Sequence, residues 1–358
     1  GFDLESGERL WQVDVGAELD LVPPAGDPAF AVAASGADRY LVQARRDDDW
    51  PGLIEALELD RDGQVVARWS ASGDEQLLRH GDDLIRVSAA GQAALHAPGD
   101  RERSAWEADL GLDWQNLRND ETGSLWLLGN DGFVDLETGR PLGFGADAAA
   151  GSVSYHAFHG NEDGLLRLDE DSGELRRLEP TSGEDLWDQP LALEAPLLAA
   201  YWMGGRLALE YSLEGEASGY QRTAVMAVDA AGGEPLWRRE IGVGRIAGVT
   251  AHGVVAAAYG RLSLIDWTSG EEAGSERLAD DELPWALGSR VLYVWDNAGS
   301  IRALDCQEGL TELWSLGVSE AAFDGETGWA EGAAWSGIRL FVRISTATGG
   351  FLRPLHPQ

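Results

Sequence analysis

Val228-Asp229-Ala230-Ala231-Gly232-Gly233-Glu234-Pro235-Leu236-Trp237 decides the reading of this chain. An apolar strand ends on a carboxylate, a small-residue turn closes on glycine, and an acidic residue, Leu and Trp follow. The same phrase stands at Phe2-Asp3-Leu4-Glu5-Ser6-Gly7-Glu8-Arg9-Leu10-Trp11 and at Leu178-Glu179-Pro180-Thr181-Ser182-Gly183-Glu184-Asp185-Leu186-Trp187. In all three copies Trp lies four residues after Gly. Weaker copies run from Leu59-Asp60 to Gly63 with Trp69, from Asp135 to Gly139 without a Trp, from Ile265-Asp266 to Gly270 without one in that place, and from Leu304-Asp305 to Gly309 with Trp314. A degenerate copy passes through Ala94-Leu95-His96 to Trp106. The interval averages about 43 residues, within the ~40–50 of a repeat built from one small four-stranded sheet.

Between copies, short apolar runs alternate with Gly, Asn and Asp turns. Ser124–Leu128, Gly129-Asn130-Asp131-Gly132 and Phe133–Leu136 read as strand, hairpin and strand, as do Val291–Trp295, Asp296-Asn297-Ala298-Gly299 and Ile301–Leu304. No stretch holds a helical period. The chain is therefore expected to be all-β, a β-propeller of eight four-stranded blades, or seven. A small twisted sheet cannot bury both faces alone, so such sheets stack and close. One domain over 1–358 is expected, with blades near 7–62, 63–98, 99–138, 139–182, 183–232, 233–269, 270–308 and 309–358, and Phe2–Glu5 as an additional outer strand.

The phrase resembles the tryptophan-docking motif of the pyrroloquinoline-quinone-like repeat, and the chain is similar to the BamB-like group of that family. The resemblance implies that the phrase joins the outermost strand of one blade to the innermost strand of the next, and that its Trp packs between neighbouring blades. Carried over, that docking role falls on Trp11, Trp69, Trp106, Trp187, Trp237 and Trp314. Redox members of the family hold a quinone and calcium above a vicinal disulfide. The single Cys306 cannot form that disulfide, and no set of Glu, Asn and Asp matches the calcium ligands. No catalytic residue, cofactor or metal ligand is assigned.

Composition narrows the partners. Acidic residues number 62 and basic residues 27, all of them arginine, giving a net charge of −35. Without lysine there is no Schiff-base chemistry, Walker phosphate loop or kinase core. The negative field disfavours nucleic acid and anionic lipid. No Ser has Gly two residues away on both sides, which removes the hydrolase elbow. His156 and His159, with Glu162 and Asp163 nearby, offer a metal pair, although turn and strand spacing does not place them on one face as a helix would. Asp47-Asp48-Asp49 and Asp280-Asp281-Glu282 read as solvated acidic loops. No run approaches the ~18 apolar residues of a membrane span.

Two connections exceed their equivalents, Ala44–Leu53 and Ser212–Thr223, and the expected register places both between third and fourth strands, in the first and fifth blades. They carry arginine beside aromatics, namely Arg45, Arg46 and Trp50 in one and Tyr220 and Arg222 in the other, a pairing enriched where interfaces hold their energy. These five are the candidate partner-binding residues. The expected function is a non-enzymatic, extracytoplasmic protein-interaction scaffold, its N-terminal targeting segment or anchor lying upstream of this chain. The alternatives are the sensor domain of a larger membrane-anchored bacterial protein such as a Ser/Thr kinase, and an enzyme or carbohydrate binder using the central channel.

Overall fold

In the computed structural model the described residues are 29–35, 39–45, 54–60, 62–71, 74–80, 83–97, 103–118, 125–160, 164–213, 222–279, 282–287, 290–296, 300–317, 328–335, 340–346 and 349–355. They are almost wholly antiparallel β-structure, with one 3-10 turn at Ala146–Ala150. The chain divides into two compact units, one of Gly1–Leu112, Tyr293–Ala303 and Glu312–Gln358, the other of Asp113–Leu292 and Leu304–Thr311.

The described strands group into eight sheets in chain order. In the second unit, the third sheet is Gln115–Arg118, Leu125–Gly129 and Gly132–Val134. The fourth is Val153–Ala157, Leu165–Asp169, Glu174–Leu178 and Leu191–Ala192. The fifth is Leu197–Met203, Arg206–Leu213, Arg222–Asp229 and Pro235–Gly242, and the sixth is Gly244–Thr250, Gly253–Ala258, Arg261–Asp266 and Glu272–Arg277. The fifth carries an extra strand: His159–Gly160 leaves the fourth sheet and pairs in parallel with Tyr201–Trp202. The inner strand Leu125–Gly129 is apolar and buried throughout. Strands toward an outer edge alternate, as in Val65–Ala71.

The repeated phrase is a turn whose chemistry is now visible. Asp229 Oδ2 accepts the Gly232 N–H at 2.9 Å, the Gly233 N–H donates to the Asp229 carbonyl at 2.8 Å, and the Asp229 N–H donates to the Glu234 carbonyl at 2.9 Å. Asp266 repeats the pattern with Thr268, Ser269, Gly270 and Glu271, and Glu179 repeats it with Thr181, Ser182, Gly183 and Glu184. The closing glycine has φ of +78° at Gly233, +69° at Gly270 and +72° at Gly183, the left-handed region that a Cβ disfavours. A carboxylate and a glycine at fixed separation are thus a local necessity of the turn, which is why they recur.

That turn lies inside a sheet. Arg222–Asp229 pairs antiparallel with Pro235–Gly242 across it, so the phrase links third and fourth strands of one sheet and not the outermost strand of one to the innermost of the next. The correction moves each sheet border one strand downstream of the sequence boundaries: the first sheet spans Ala29 to Ala71 and the sixth Gly244 to Arg277. It also moves both long connections, which join second to third strands, Arg39–Arg45 to Ile54–Asp60 and Arg206–Leu213 to Arg222–Asp229. Their equivalence, and their places in the first and fifth sheets, are unchanged. Phe2–Glu5 and Trp11 lie outside the described residues.

The aromatics of the phrase tie one copy to the next. The Trp187 Nε1–H donates to the Ala230 carbonyl at 2.8 Å, and a Cβ on Gly233 would sit 2.7 Å from its indole. One copy on, the Trp237 Nε1–H donates to the Trp267 carbonyl at 2.9 Å, and a Cβ on Gly270 would sit 2.8 Å from its ring. In each case the acceptor follows the turn carboxylate, and the glycine is bare because the ring occupies its Cβ position. The copy at Asp135 lacks Trp, yet Phe144 stands against Gly183 in the same way, 2.4 Å from that Cβ position. Trp267 is fully buried and donates to the Thr250 carbonyl at 2.7 Å. In the first unit, Trp69 and Trp106 are buried, Trp69 edge-on to His96 at 6.0 Å; Trp314 is half-buried, 6.0 Å from the Tyr293 ring.

Candidate binding groove

Within the second unit, the beginnings of the fifth and sixth sheets and of the strand Glu282–Leu287 enclose a groove of about 980 Å³. Glu210 forms part of its floor. It lies in the strand Arg206–Leu213, opposite Ala199 and Val225, in the run Leu207-Ala208-Leu209-Glu210-Tyr211 where every neighbour is buried. Its own exposure is only 4%. The Ile246 N–H donates to it, and the Tyr201 hydroxyl reaches its Oε2 at 3.5 Å while also meeting the Ile246 carbonyl at 3.4 Å. Burial raises the Glu210 pKa above the ordinary carboxylate value, against the lowering effect of the Ile246 hydrogen bond and of Arg245.

Three apolar or aromatic side chains face solvent at the rim, each for a local reason or at a strand end. Leu198 is the extra residue of a bulge between Leu197 and Ala199, and it is 43% exposed. A bulge re-aims a side chain that regular pairing would turn inward. Tyr259 occupies the tip of the hairpin before Arg261–Asp266 with φ +52°, a strained backbone for a residue with a Cβ, and is 77% exposed. Its hydroxyl accepts the Val243 N–H at 3.1 Å, and its ring lies 2.8 Å from where a Gly242 Cβ would stand. Leu283, 53% exposed, completes the rim beside Pro284. Thr223 borders the floor, its hydroxyl donating to the Gly244 carbonyl at 2.6 Å. A buried carboxylate, a bulge and a strained tyrosine each cost stability, and here they converge on one concavity.

A second cleft of about 680 Å³ holds a closed network. The Tyr155 hydroxyl donates to Asp147 Oδ1 at 2.7 Å and Arg167 reaches Oδ2 at 2.9 Å, so these groups satisfy one another. Burial raises the Tyr155 pKa, and the Asp147 carboxylate adds to it. His156 meets Ser154 Oγ at 3.0 Å, and burial lowers its pKa; His159, Glu162 and Asp163 have side chains outside the described residues. Among the described residues, no group of three or more His, Cys, Asp or Glu is placed to hold a metal ion. Cys306 is buried, with its thiol pushed up to about 12 by burial first and the Asp305 charge second.

Of the candidate partner-binding residues, Arg46, Trp50 and Tyr220 lie outside the described residues, and Arg45 ends the strand Arg39–Arg45 with its side chain undescribed. Arg222 forms an ion pair with Glu240 on the adjacent strand Pro235–Gly242. It is anchored across the sheet, next to Thr223 at the groove. Sequence reading missed Glu210, Tyr201, Tyr259 and Leu198. One signal was present: a glutamate centred in an apolar strand, where burial demands a reason.

Residues 171–334 match the family model for outer membrane protein assembly factor BamB. The resemblance to the BamB-like group therefore rests on both the phrase and the family model, and the matched segment contains the whole groove. No curated protein sequence matches the chain. Among solved structures, the computationally designed Ika8 protein is 14% identical with a TM-score of 0.55, over 93% of this chain and 97% of that one. Sqt1 of Saccharomyces cerevisiae is 12% identical with a TM-score of 0.52, over 92% and 96%. BamB of Moraxella catarrhalis is 12% identical with a TM-score of 0.40, over 93% and 95%. For Ika8 and Sqt1, at these identities, the likeness is one of fold, an all-β assembly of four-stranded sheets with propeller neighbours. Among the described residues, no helix is long and apolar enough to cross a membrane.

Proposed function

We propose that the chain is a single eight-bladed propeller domain acting as a non-enzymatic, extracytoplasmic protein-interaction scaffold, and that its partner docks in the groove around Glu210. The observation that carries the reading is the rim: Leu198, Tyr259 and Leu283 are held out to solvent around a concavity, two of them by costly backbone. Apolar and aromatic side chains at the centre of a pocketed surface are where protein interfaces gather their energy. The BamB family match supports the scaffold role and the extracytoplasmic setting. Net charge of −35 supports a protein partner over nucleic acid. Thr223, where the connection Ser212–Thr223 ends, lines the groove.

Co-purification from the native source tests this. Leu198→Glu and Tyr259→Ser, both at exposed positions, are expected to remove a protein that the parent chain retains, while both variants keep the far-UV circular dichroism and cooperative unfolding of a folded chain. Retention of that protein at parental levels by both variants would refute the groove as the docking place.

A further inference from the structure

We infer that the groove receives a cationic side chain, lysine or arginine, projecting from an apolar segment of a protein partner, with Glu210 as its counter-ion. The inference rests on the scaffold reading and specifies the chemistry of the segment that docks. Glu210 is almost wholly removed from solvent at the floor of an open groove, and its described hydrogen bonds are the Ile246 N–H and a long contact from Tyr201. A carboxylate so placed lacks the coordination that makes burial tolerable, and a bidentate or three-donor cation supplies it. Arg245 stands exposed at the rim and acts on Glu210 by charge alone, without an ion pair.

The rim suits the remainder of the segment. Leu198, Ala199 and Ala257 line the approach with apolar surface along which a lysine or arginine stem lies while its head reaches inward. Tyr259 offers the face of a phenol ring to a passing cation. Exposed Leu198 and Leu283 call for apolar neighbours of the cation, which a free small amine does not bring. The field of the whole chain, at −35, draws cations toward it.

The test uses the full chain and a labelled host peptide in which one central residue, flanked by leucines, is lysine, arginine, norleucine or glutamate, with cadaverine as a free-amine control. Fluorescence anisotropy near neutral pH is expected to show the lysine and arginine peptides binding about tenfold or more tighter than the norleucine peptide, the glutamate peptide weakest. Glu210→Gln should erase that preference. Arg245→Gln, at an exposed position, should instead strengthen binding of the cationic peptides, an opposite sign that loss of folding cannot produce. Equal affinity for lysine and norleucine peptides, a preference surviving Glu210→Gln, cadaverine binding as tightly as the lysine peptide, or absence of any binding would each overturn the inference. If the co-purifying protein is lost on Leu198→Glu but kept by Glu210→Gln, the scaffold stands and the cation falls. If both variants keep it, the docking place itself falls.

Discussion

The contact between one copy's tryptophan and the next copy's glycine can be isolated from the backbone cost of that glycine. Gly233 and Gly205 have nearly the same φ, +78° and +79°, and both are followed through a tight hairpin. A Cβ at Gly205 meets nothing within 4 Å, whereas a Cβ at Gly233 lands 2.7 Å from the Trp187 indole. Gly205→Ala therefore carries the left-handed penalty alone, about 1–2 kcal/mol. Gly233→Ala carries the same penalty and displaces Trp187, adding overpacking of about 1–3 kcal/mol and loosening the Nε1–H bond to the Ala230 carbonyl, about 0.5–1.5 kcal/mol. The second variant should be less stable than the first by about 1.5–4.5 kcal/mol. Urea unfolding followed by tryptophan fluorescence reads the difference, provided the slope with denaturant is unchanged. Stabilities agreeing within about 0.5 kcal/mol would refute the docking account. Gly270→Ala, against Trp237, repeats the measurement one copy on.

Further outcomes follow from the same geometry. Trp237→Phe keeps most of the ring but strands the Trp267 carbonyl, and should cost about 1–3 kcal/mol in the same urea assay. Asp266 has its pKa lowered, first by the Ser269 N–H and then by the Ser269 hydroxyl, so its stabilising effect is full above the unfolded carboxylate pKa and fades as pH falls toward the depressed value; Asp266→Asn should lower Tm at neutral pH and converge with the parent in acid. Glu210 has the opposite sign. Its pKa is raised by burial, so its neutral form favours the fold and that contribution is lost as pH rises through the raised value, with Tyr201 and Arg245 the ionisable groups beside it. Glu210→Gln should therefore gain Tm relative to the parent as pH rises from the acid side to neutral, while losing partner affinity.

The turns were readable because their cause is local. A carboxylate that gathers N–H groups and a glycine at positive φ leave the same letters each time, and Asp229, Asp266 and Glu179 are spelled by that requirement. Whether such a turn sits within a sheet or between two is decided by which strands pair, and no single copy encodes that, so the phrase was assigned to the wrong junction. Phe144 escaped notice because what the site demands is a flat ring against Gly183, not an indole at a fixed count. The groove was the least legible part. Leu198 is exposed only because the strand bulges, and Tyr259 reaches across to Val243 from a neighbouring hairpin, both consequences of pairing. Glu210 alone left a mark in the sequence, a charge in an apolar strand, and that mark went unread.

The most direct measurement places a photo-crosslinking amino acid at Tyr259 in the groove and, separately, at Leu236, which also faces solvent but lies on the strand Pro235–Gly242 away from the groove lining. Irradiated in the native source, the Tyr259 position should yield a discrete protein adduct that Leu198→Glu abolishes, and the Leu236 position should not yield it. Absence of a discrete adduct at Tyr259, or the same adduct from Leu236, would contradict a scaffold that docks its partner in this groove.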